Sequence, residues 1–211
     1  MTAIIICNGS IADYSFYKKY FSEADLIICA DGGTHHAKGF GIKPHVVLGD
    51  FDSMSEGSLK YFESMGAEIF KFPSEKDMTD TELAVEFAVE RGAASVIIIG
   101  GIGTRIDHTL SNIFILKKLL DRGVKGIIAD EHNEITLIKD RILLQKEEGV
   151  KVTLLPLTDK VEGVTTKGLY YKLNNATIMM GSSWGVSNEF SDDRAEVSIK
   201  SGLLLVIKSR D

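Results

Sequence analysis

Residues 95–108 read SVIIIGGIGTRIDH. A short β-branched run is followed by a glycine-rich turn and then by polar residues that open a segment of helical spacing. The run Ser95–Gly100 has the length and side-chain type of a buried strand, too short for an ordinary helix. The same unit recurs through the first part of the chain. Strand-like runs fall at Ala3–Cys7, Leu26–Ala30, His45–Leu48, Glu68–Phe72, Ser95–Gly100 and Gly126–Asp130. Between them Leu59, Phe62 and Met65 share a helical face, as do Leu83 and Phe87, and Leu110, Ile113, Phe114 and Lys117 follow the same spacing. Gly66, Gly92 and Gly123 stand where helices are expected to stop. Residues 1–130 are therefore expected to form an α/β domain, a Rossmann-like and mostly parallel sheet with helices on both faces.

After Asp130 the rhythm changes. Glu134–Lys139, Ile142–Lys146, Lys151–Leu155, Ala176–Met180, Glu196–Lys200 and Leu203–Lys208 read as strands at short spacing, with no convincing helix between them. Several alternate, as where Val197 and Ile199 oppose Ser198 and Lys200. Residues 131–211 are expected to form an antiparallel β-sandwich or barrel. No internal repeat and no low-complexity linker separates the halves.

The chain has 211 residues, 44% hydrophobic and 26% charged, as in an ordinary globular protein. Its formal net charge of −6, with no basic run, argues against nucleic acid as a partner. Cys7 and Cys29 each end an apolar run and read as buried, reduced thiols rather than a disulfide framework. The start MTAIIICNGS has no basic region, and its apolar run is too short for a signal peptide or a membrane span. A cytoplasmic location and no membrane partner are expected.

In open α/β sheets ligands bind beyond the carboxyl ends of the strands. Asn8-Gly9 follows the first strand, Asp31-Gly32-Gly33 the second, and Gly49-Asp50-Phe51-Asp52-Ser53 the third. Lys76-Asp77-Met78-Thr79-Asp80 lies beyond the fourth, and Gly100 to His108 follows the fifth. Five strands thus deliver glycines, acids and an arginine to one rim. In extended backbone Asp50 and Asp52 would point the same way and could converge on a cation, with Phe51 turned into the core. The alternative is a simple Asp-rich turn. Thr79 and Glu82 match a capping box that opens a helix, placing Asp77 ahead of it and Asp80 in its first turn. Acids there also complement the helix dipole. Four acids on adjacent strand ends would repel one another unless a cation neutralised them, and oxygen ligands without His or Cys favour Mg²⁺. Asp31 could join them or hold the Gly32-Gly33 turn.

From Gly101 the loop misses the dinucleotide pattern G-x-G-x-x-G, because the third glycine position is Ile106. Its glycines would still let backbone amides approach a phosphate, and Arg105 suits a triphosphate or an ion pair with Asp107 or another rim acid. His108 opens a helix and could cap or pack; phosphoryl transfer has little need of a strong base. His35, His36, His45 and His132 lack metal-ligand spacing and read as structural or solvent-facing. Trp184, in the glycine-bounded loop Gly181 to Glu189, could stack on a flat heteroaromatic ligand or fill the core. Gly168, within Thr166 to Tyr171, reads as a bulge or turn.

Taken in order, Asp31-Gly32-Gly33, Gly49-Asp50-Phe51-Asp52-Ser53, Asp77-Met78-Thr79-Asp80, Arg105-Ile106-Asp107-His108, Lys167-Gly168-Leu169 and Ser187-Asn188 resemble the thiamine pyrophosphokinase family. The resemblance runs from residue 8 to the C-terminus and, at this length, is similar to the bacterial branch. It implies transfer of the terminal pyrophosphate of ATP to the hydroxyethyl group of thiamine, giving thiamine diphosphate and AMP. It also implies a homodimer with thiamine bound between subunits. By matching position Asp50, Asp52 and Asp80 are implied metal ligands with Asp77 close by, and Mg²⁺ the cofactor. Asn8, Gly9, Asp31, Gly32, Gly33, Ser53, Thr79, Gly101, Arg105, Asp107 and His108 are the candidate ATP-binding residues. Ser187 and Asn188, with Trp184, are the candidates on the thiamine side. Lys76 departs from the Gln that eukaryotic members often carry before the D-x-T-D motif, and could add a phosphate contact. A metal-dependent phosphohydrolase and a non-catalytic sensor are rival readings; an oxidoreductase falls with the glycine pattern.

Overall fold

The computed structural model describes residues 1–52 and 57–211 in full and residue 56 by its backbone. The chain divides into two compact units, Met1–Glu131 and His132–Asp211. In the first, strands and helices alternate: β1 (Thr2–Ile6), α1 (Lys18–Phe21), β2 (Leu26–Ala30), α2 (Thr34–Phe40), β3 (Val46–Gly49), α3 (Glu56–Ser64), β4 (Glu68–Lys71), α4 (Asp80–Glu90), β5 (Ser95–Ile99), α5 (Ile106–Asp121) and β6 (Lys125–Ala129). The strands pair in parallel in the order β4-β3-β2-β1-β5-β6.

Both faces of this sheet are covered. Ile4, Ile6, Cys29, Val47, Ile97 and Ile99 turn to one layer, where they meet Tyr17, Ala37 and Phe62. Residues one position away point to the other face. There Phe70 meets Phe87 of α4 at a ring-centroid separation of 5.0 Å. A Cβ on Gly126 would lie 2.8 Å from Leu116 and from Leu119 of α5, so glycine lets that helix settle onto the strand. Two-sided cover explains why all five residues of β2 are buried and apolar, each large one worth about 1.5–3 kcal/mol. Gly66, Gly92 and Gly123 do stop α3, α4 and α5. Each has positive φ (81°, 84° and 72°). The residue after each glycine donates back to a carbonyl of the last helical turn, as Ala93 N does to Ala88 O at 3.0 Å.

One expectation about α5 is reversed. The Leu110, Ile113, Phe114 and Lys117 spacing does not mark its buried face; Asn112, Ile115, Leu116 and Leu119 do. Leu110 and Phe114 are exposed, in line with exposed Ile106. This helix carries apolar residues on two faces, and the close approach at Gly126 decides which one packs.

The second unit comprises β7 (Asn133–Ile138), β8 (Arg141–Gln145), β9 (Lys151–Pro156), β10 (Lys160–Lys167), β11 (Ala176–Met179), β12 (Asn188–Glu189), β13 (Arg194–Ser198) and β14 (Leu204–Ser209). No helix occurs among its described residues. Its strands run antiparallel in the orders β12-β9-β14-β7 and β11-β10-β13-β8. Both sets contribute to one core, with Val152, Leu154 and Val206 from the first and Val161, Val164, Ile178 and Val197 from the second. Sequence reading missed β10, and its irregularity explains why. Val161 and Val164 are three apart and would face opposite ways in a regular strand. A register shift between them, with Gly163 at φ 71°, turns both inward. Among the described residues no helix is long and apolar enough to cross a membrane.

Candidate active site

The strand order reverses between β1 and β5, because the chain runs outward from β1 through β2, β3 and β4 and then crosses back to β5. Such a reversal leaves a crevice at the carboxyl ends of the two strands. A cleft of about 550 Å³ opens there. It is lined by Cys7 to Ser10 after β1, Asp31 after β2, Asp50 after β3, Ser74, Lys76 and Met78 to Thr81 around the start of α4, and Gly100, Gly101, Gly103 to Arg105, His108, Thr109 and Asn112 after β5. The two central loops touch backbone to backbone: Gly9 N donates to Gly100 O at 2.8 Å and Ser10 N to Ile102 O at 3.2 Å. Gly103 N donates to Thr109 Oγ1 at 3.2 Å. Those three amides are thus committed to holding the loops, a structural use that the glycine pattern alone does not reveal. Gly32 and Gly33 likewise serve close packing, since a Cβ on Gly33 would sit 2.0 Å from Ile6 O.

The acids do not sit as an extended strand would place them. Phe51 is buried as expected, but at φ 62° it breaks the alternation that would align Asp50 with Asp52. Asp50 Oδ1 instead accepts Asp52 N at 3.1 Å, and Asp52 Oδ2 accepts the Ser74 hydroxyl at 2.7 Å. Asp50 and Asp80 line the cleft; Asp52 and Asp77 are exposed and do not. Thr79 caps α4 by accepting Glu82 N at 3.2 Å. The reciprocal half of the capping box is missing, because Glu82 pairs with Lys118 at 2.8 Å. Asp80 Oδ1 is shielded from solvent and accepts no hydrogen bond from the described residues. Lys76 Nζ stands 3.0 Å from it, an ion pair that lacks hydrogen-bond alignment. Ser53 lies outside the described residues.

Among the described residues no three Asp, Glu, His or Cys side chains stand close enough to cage a metal. Magnesium rarely needs such a cage: it takes one or two carboxylates and completes its shell with water and substrate phosphates. Asp50 and Asp80, with a shielded carboxylate oxygen that lacks a hydrogen bond, fit that donor set. Left-handed backbone at non-glycine residues is costly and gathers at functional sites. Among the described residues it occurs at Asp31 (φ 40°), Phe51 (62°), Asn175 (51°) and Ser187 (58°). Three of these four are candidate site residues or lie between them.

Arg105 lines the cleft mouth but is 69% exposed, and it pairs with Asp107 at 2.7 Å. The pairing pulls the Asp107 carboxyl down to about 2. Arg105 also immediately precedes α5, and His108 lines the cleft from that helix's first turn. Sequence reading passed over Asn112 and Glu131 and gave Cys7 and His36 no place at the site. Asn112 is buried and donates to Gly101 O at 2.7 Å, tying the glycine loop to α5. The signal was present, as a lone amide on the apolar side of a helix. Cys7 meets Thr81 Oγ1 at 3.3 Å; burial pushes its thiol up to about 11, against the pull of that hydroxyl. His36 is buried beneath the β1 loop, with Nε2 2.7 Å from Gly9 O and Nδ1 3.0 Å from the Tyr14 hydroxyl. Burial lowers its pKa. Glu131 accepts Ala12 N, Asp13 N and the Tyr17 hydroxyl at 2.8–2.9 Å, which fastens the rest of that loop.

The second unit has its own cleft of about 480 Å³, lined by Leu154, Tyr170 to Leu173, Trp184 to Val186 and Asn188. Trp184 is 60% exposed, so the core alternative fails for it. Asn188 is buried and grips Tyr171 from both sides, accepting its N–H at 2.9 Å and donating to its carbonyl at 2.8 Å. Ser187 is exposed, with its N–H given to Thr153 Oγ1 at 3.0 Å.

Residues 17–128 match the family model described as thiamin pyrophosphokinase, catalytic domain. That match covers more than half of the chain. The chain belongs to the thiamine pyrophosphokinase family. Residues 139–204 match a second model, the thiamin pyrophosphokinase vitamin B1 binding domain. The thiamine pyrophosphokinase of Bacillus subtilis is 32% identical over 194 residues, 91% of each chain. Thiamine pyrophosphokinase 1 of Oryza sativa subsp. japonica is 24% identical over 235 residues, covering 99% of this chain and 88% of its own. The crystal structure of the Bacillus subtilis protein superposes with a TM-score of 0.90 at 30% identity, covering all of both chains. Yeast thiamin pyrophosphokinase, 20% identical with a TM-score of 0.81, covers 99% of this chain and 86% of its own and shares the fold.

Proposed function

We propose that the chain transfers the terminal pyrophosphate of ATP to the hydroxyethyl group of thiamine, giving thiamine diphosphate and AMP. One observation carries the reading: the crevice at the β1/β5 reversal gathers Asp50, Asp80, Lys76 and Arg105 beside two glycine loops. In this reading the first unit is a Rossmann-like catalytic domain for ATP and magnesium. The second is a thiamine-binding β-sandwich or barrel. Asp50 and Asp80 are the proposed magnesium ligands, with Asp52 and Asp77 nearby in the chain but outside the cleft lining. Bound there, the ion would neutralise phosphate charge and let a polyanion approach an acidic rim.

The chain's own groups orient the reaction. Arg105, held at the cleft mouth by Asp107 through Nε and Nη2, offers its remaining guanidinium N–H groups to the ATP phosphates. His36, Asn112 and Thr109 fix the loops that shape the cleft. The thiamine hydroxyl attacks the β-phosphorus in line, forming the new O–P bond as the bond to the α-phosphate oxygen breaks and AMP leaves. Such transfers depend mainly on positioning and charge stabilisation. Trp184, exposed and lining the same cleft as Asn188, is proposed to receive the heteroaromatic substrate, with Ser187 adjacent in the chain to Asn188. A homodimer is the proposed assembly, supported by the exposed apolar line Ile106, Leu110 and Phe114 on α5. A cytoplasmic location is proposed with it.

Incubation with ATP, Mg²⁺ and thiamine should yield AMP and thiamine diphosphate. ADP with thiamine monophosphate would assign another reaction class, and phosphate release without thiamine would indicate a hydrolase. Asp50→Asn combined with Asp52→Asn should abolish AMP formation while the circular dichroism spectrum stays unchanged. Near-normal turnover of that double variant would remove the metal assignment.

A further inference from the structure

The two cations that line the cleft differ in setting. Arg105 is largely in solvent and already engaged by Asp107. Lys76 is drawn in, with its side chain only 15% exposed, one bond to Pro73 O at 3.1 Å, and Asp80 Oδ1 at 3.0 Å. A lysine ammonium has three donors on a flexible stem. With one donor on Pro73 and another near Asp80, a third remains for a further anion. Asp80 Oδ1 is shielded from solvent and accepts no hydrogen bond from the described residues, so it has lone pairs left to give.

We infer that Lys76 is an exchangeable clamp: its ammonium competes with a divalent cation for Asp80 Oδ1 and, when displaced, passes to a phosphate oxygen of the bound nucleotide. The argument is electrostatic. An ammonium 3.0 Å from a carboxylate oxygen and a divalent ion ligated by that same oxygen repel each other at short range in a partly desolvated cleft. The divalent ion wins by charge, and the triphosphate that accompanies it supplies the nearest new anion for the lysine. Lys76 therefore disfavours cation binding before nucleotide arrives and favours nucleotide binding afterwards. The two uses have opposite signs, which a purely structural lysine would not give.

This inference rests on the ATP-binding reading of the cleft, but its test does not need turnover. Mn²⁺ is titrated into the nucleotide-free protein and followed by the paramagnetic resonance signal of free Mn²⁺. Binding of magnesium with a non-hydrolysable ATP analogue is measured separately by calorimetry. Lys76→Met should bind Mn²⁺ about twofold to fivefold tighter than wild type, the scale of a partly exposed ion pair. It should bind the magnesium–nucleotide about tenfold or more weakly, the scale of a hydrogen bond to a charged group. Should that variant fail to fold, Lys76→Gln, which keeps a donor for Pro73 O without the charge, carries the same two expectations. Manganese affinity equal to or below that of wild type, or unchanged nucleotide affinity, overturns the exchange. Wild-type AMP formation is scored independently: its absence sinks the proposed function, whereas normal AMP formation without the split sinks this inference alone.

Discussion

Replacing Gly9 by alanine would place a methyl group 2.3 Å from Gly100 O and 2.4 Å from Ile102 O. Both are backbone atoms of the facing loop, so no side chain can swing aside. Reaching even 3.0 Å requires the loops to part by at least 0.7 Å, the difference between 3.0 and 2.3 Å. Overpacking of this kind costs about 1–3 kcal/mol. The separation also weakens the Gly9–Gly100 and Ser10–Ile102 hydrogen bonds, each worth about 1 kcal/mol. A loss of about 3 kcal/mol is expected, a drop in Tm of roughly 6–12 °C for a chain this size. Gly57→Ala is the matched control. It sits in α3 with nothing within 4 Å of a built Cβ, and should gain about 0.5–1 kcal/mol by stiffening the unfolded chain. Urea unfolding followed by circular dichroism gives both midpoints, and ATP titration gives KM. Gly9→Ala should unfold earlier and raise KM for ATP, while Gly57→Ala should unfold slightly later with KM unchanged. A Gly9→Ala protein with wild-type midpoint and KM would refute the claim that close loop contact builds the cleft.

Trp184→Ala should raise KM for thiamine about tenfold, the scale of one lost aromatic stacking contact, and leave KM for ATP unchanged; steady-state kinetics with each substrate varied separates the two. The buried thiols give a pH dependence. Cys7 is raised from an ordinary 9.0 to about 11, mainly by burial, and burial raises Cys29 as well. A group that holds its proton more tightly when folded stabilises the fold below its unfolded pKa. That contribution is lost as pH rises from 9 through the folded value. Urea midpoints should therefore fall between pH 9 and 11, and iodoacetamide should label neither thiol at pH 7.5 in the native state.

The fold was legible where burial is two-sided and regular. Leu26–Ala30 is apolar at every position, because helices cover both faces of β2, and its limits match the expected run. It was illegible where regularity breaks. Val161 and Val164 show no period because a bulge realigns them, and the outward apolar line on α5 mimics a core face. The site was legible at the level of strand ends: Asn8, Gly9, Asp31, Asp50, Thr79, Asp80, Gly101, Arg105 and His108 all line one cleft. It was not legible at the level of side-chain direction. The left-handed turn at Phe51 breaks the alternation on which the convergence of Asp50 and Asp52 rested, and for Arg105 the structure takes the ion-pair alternative with Asp107. Asn112 was passed over, and His36 was read only as structural or solvent-facing; each holds a loop from beneath, through a carbonyl distant in sequence.

The Tyr14–His36–Gly9 chain has a consequence for proton placement. A carbonyl can only accept, so the proton that faces Gly9 O belongs to Nε2, and burial keeps the ring neutral with Nδ1 bare. Tyr14 must then donate to Nδ1. If acid protonates the ring, Nδ1 becomes a donor and the tyrosine oxygen can accept by rotating its hydroxyl. The contact reverses polarity without letting go. The grip on Gly9 is thus indifferent to the charge of the imidazole that makes it, and the loop over the cleft keeps its anchor on both sides of that titration.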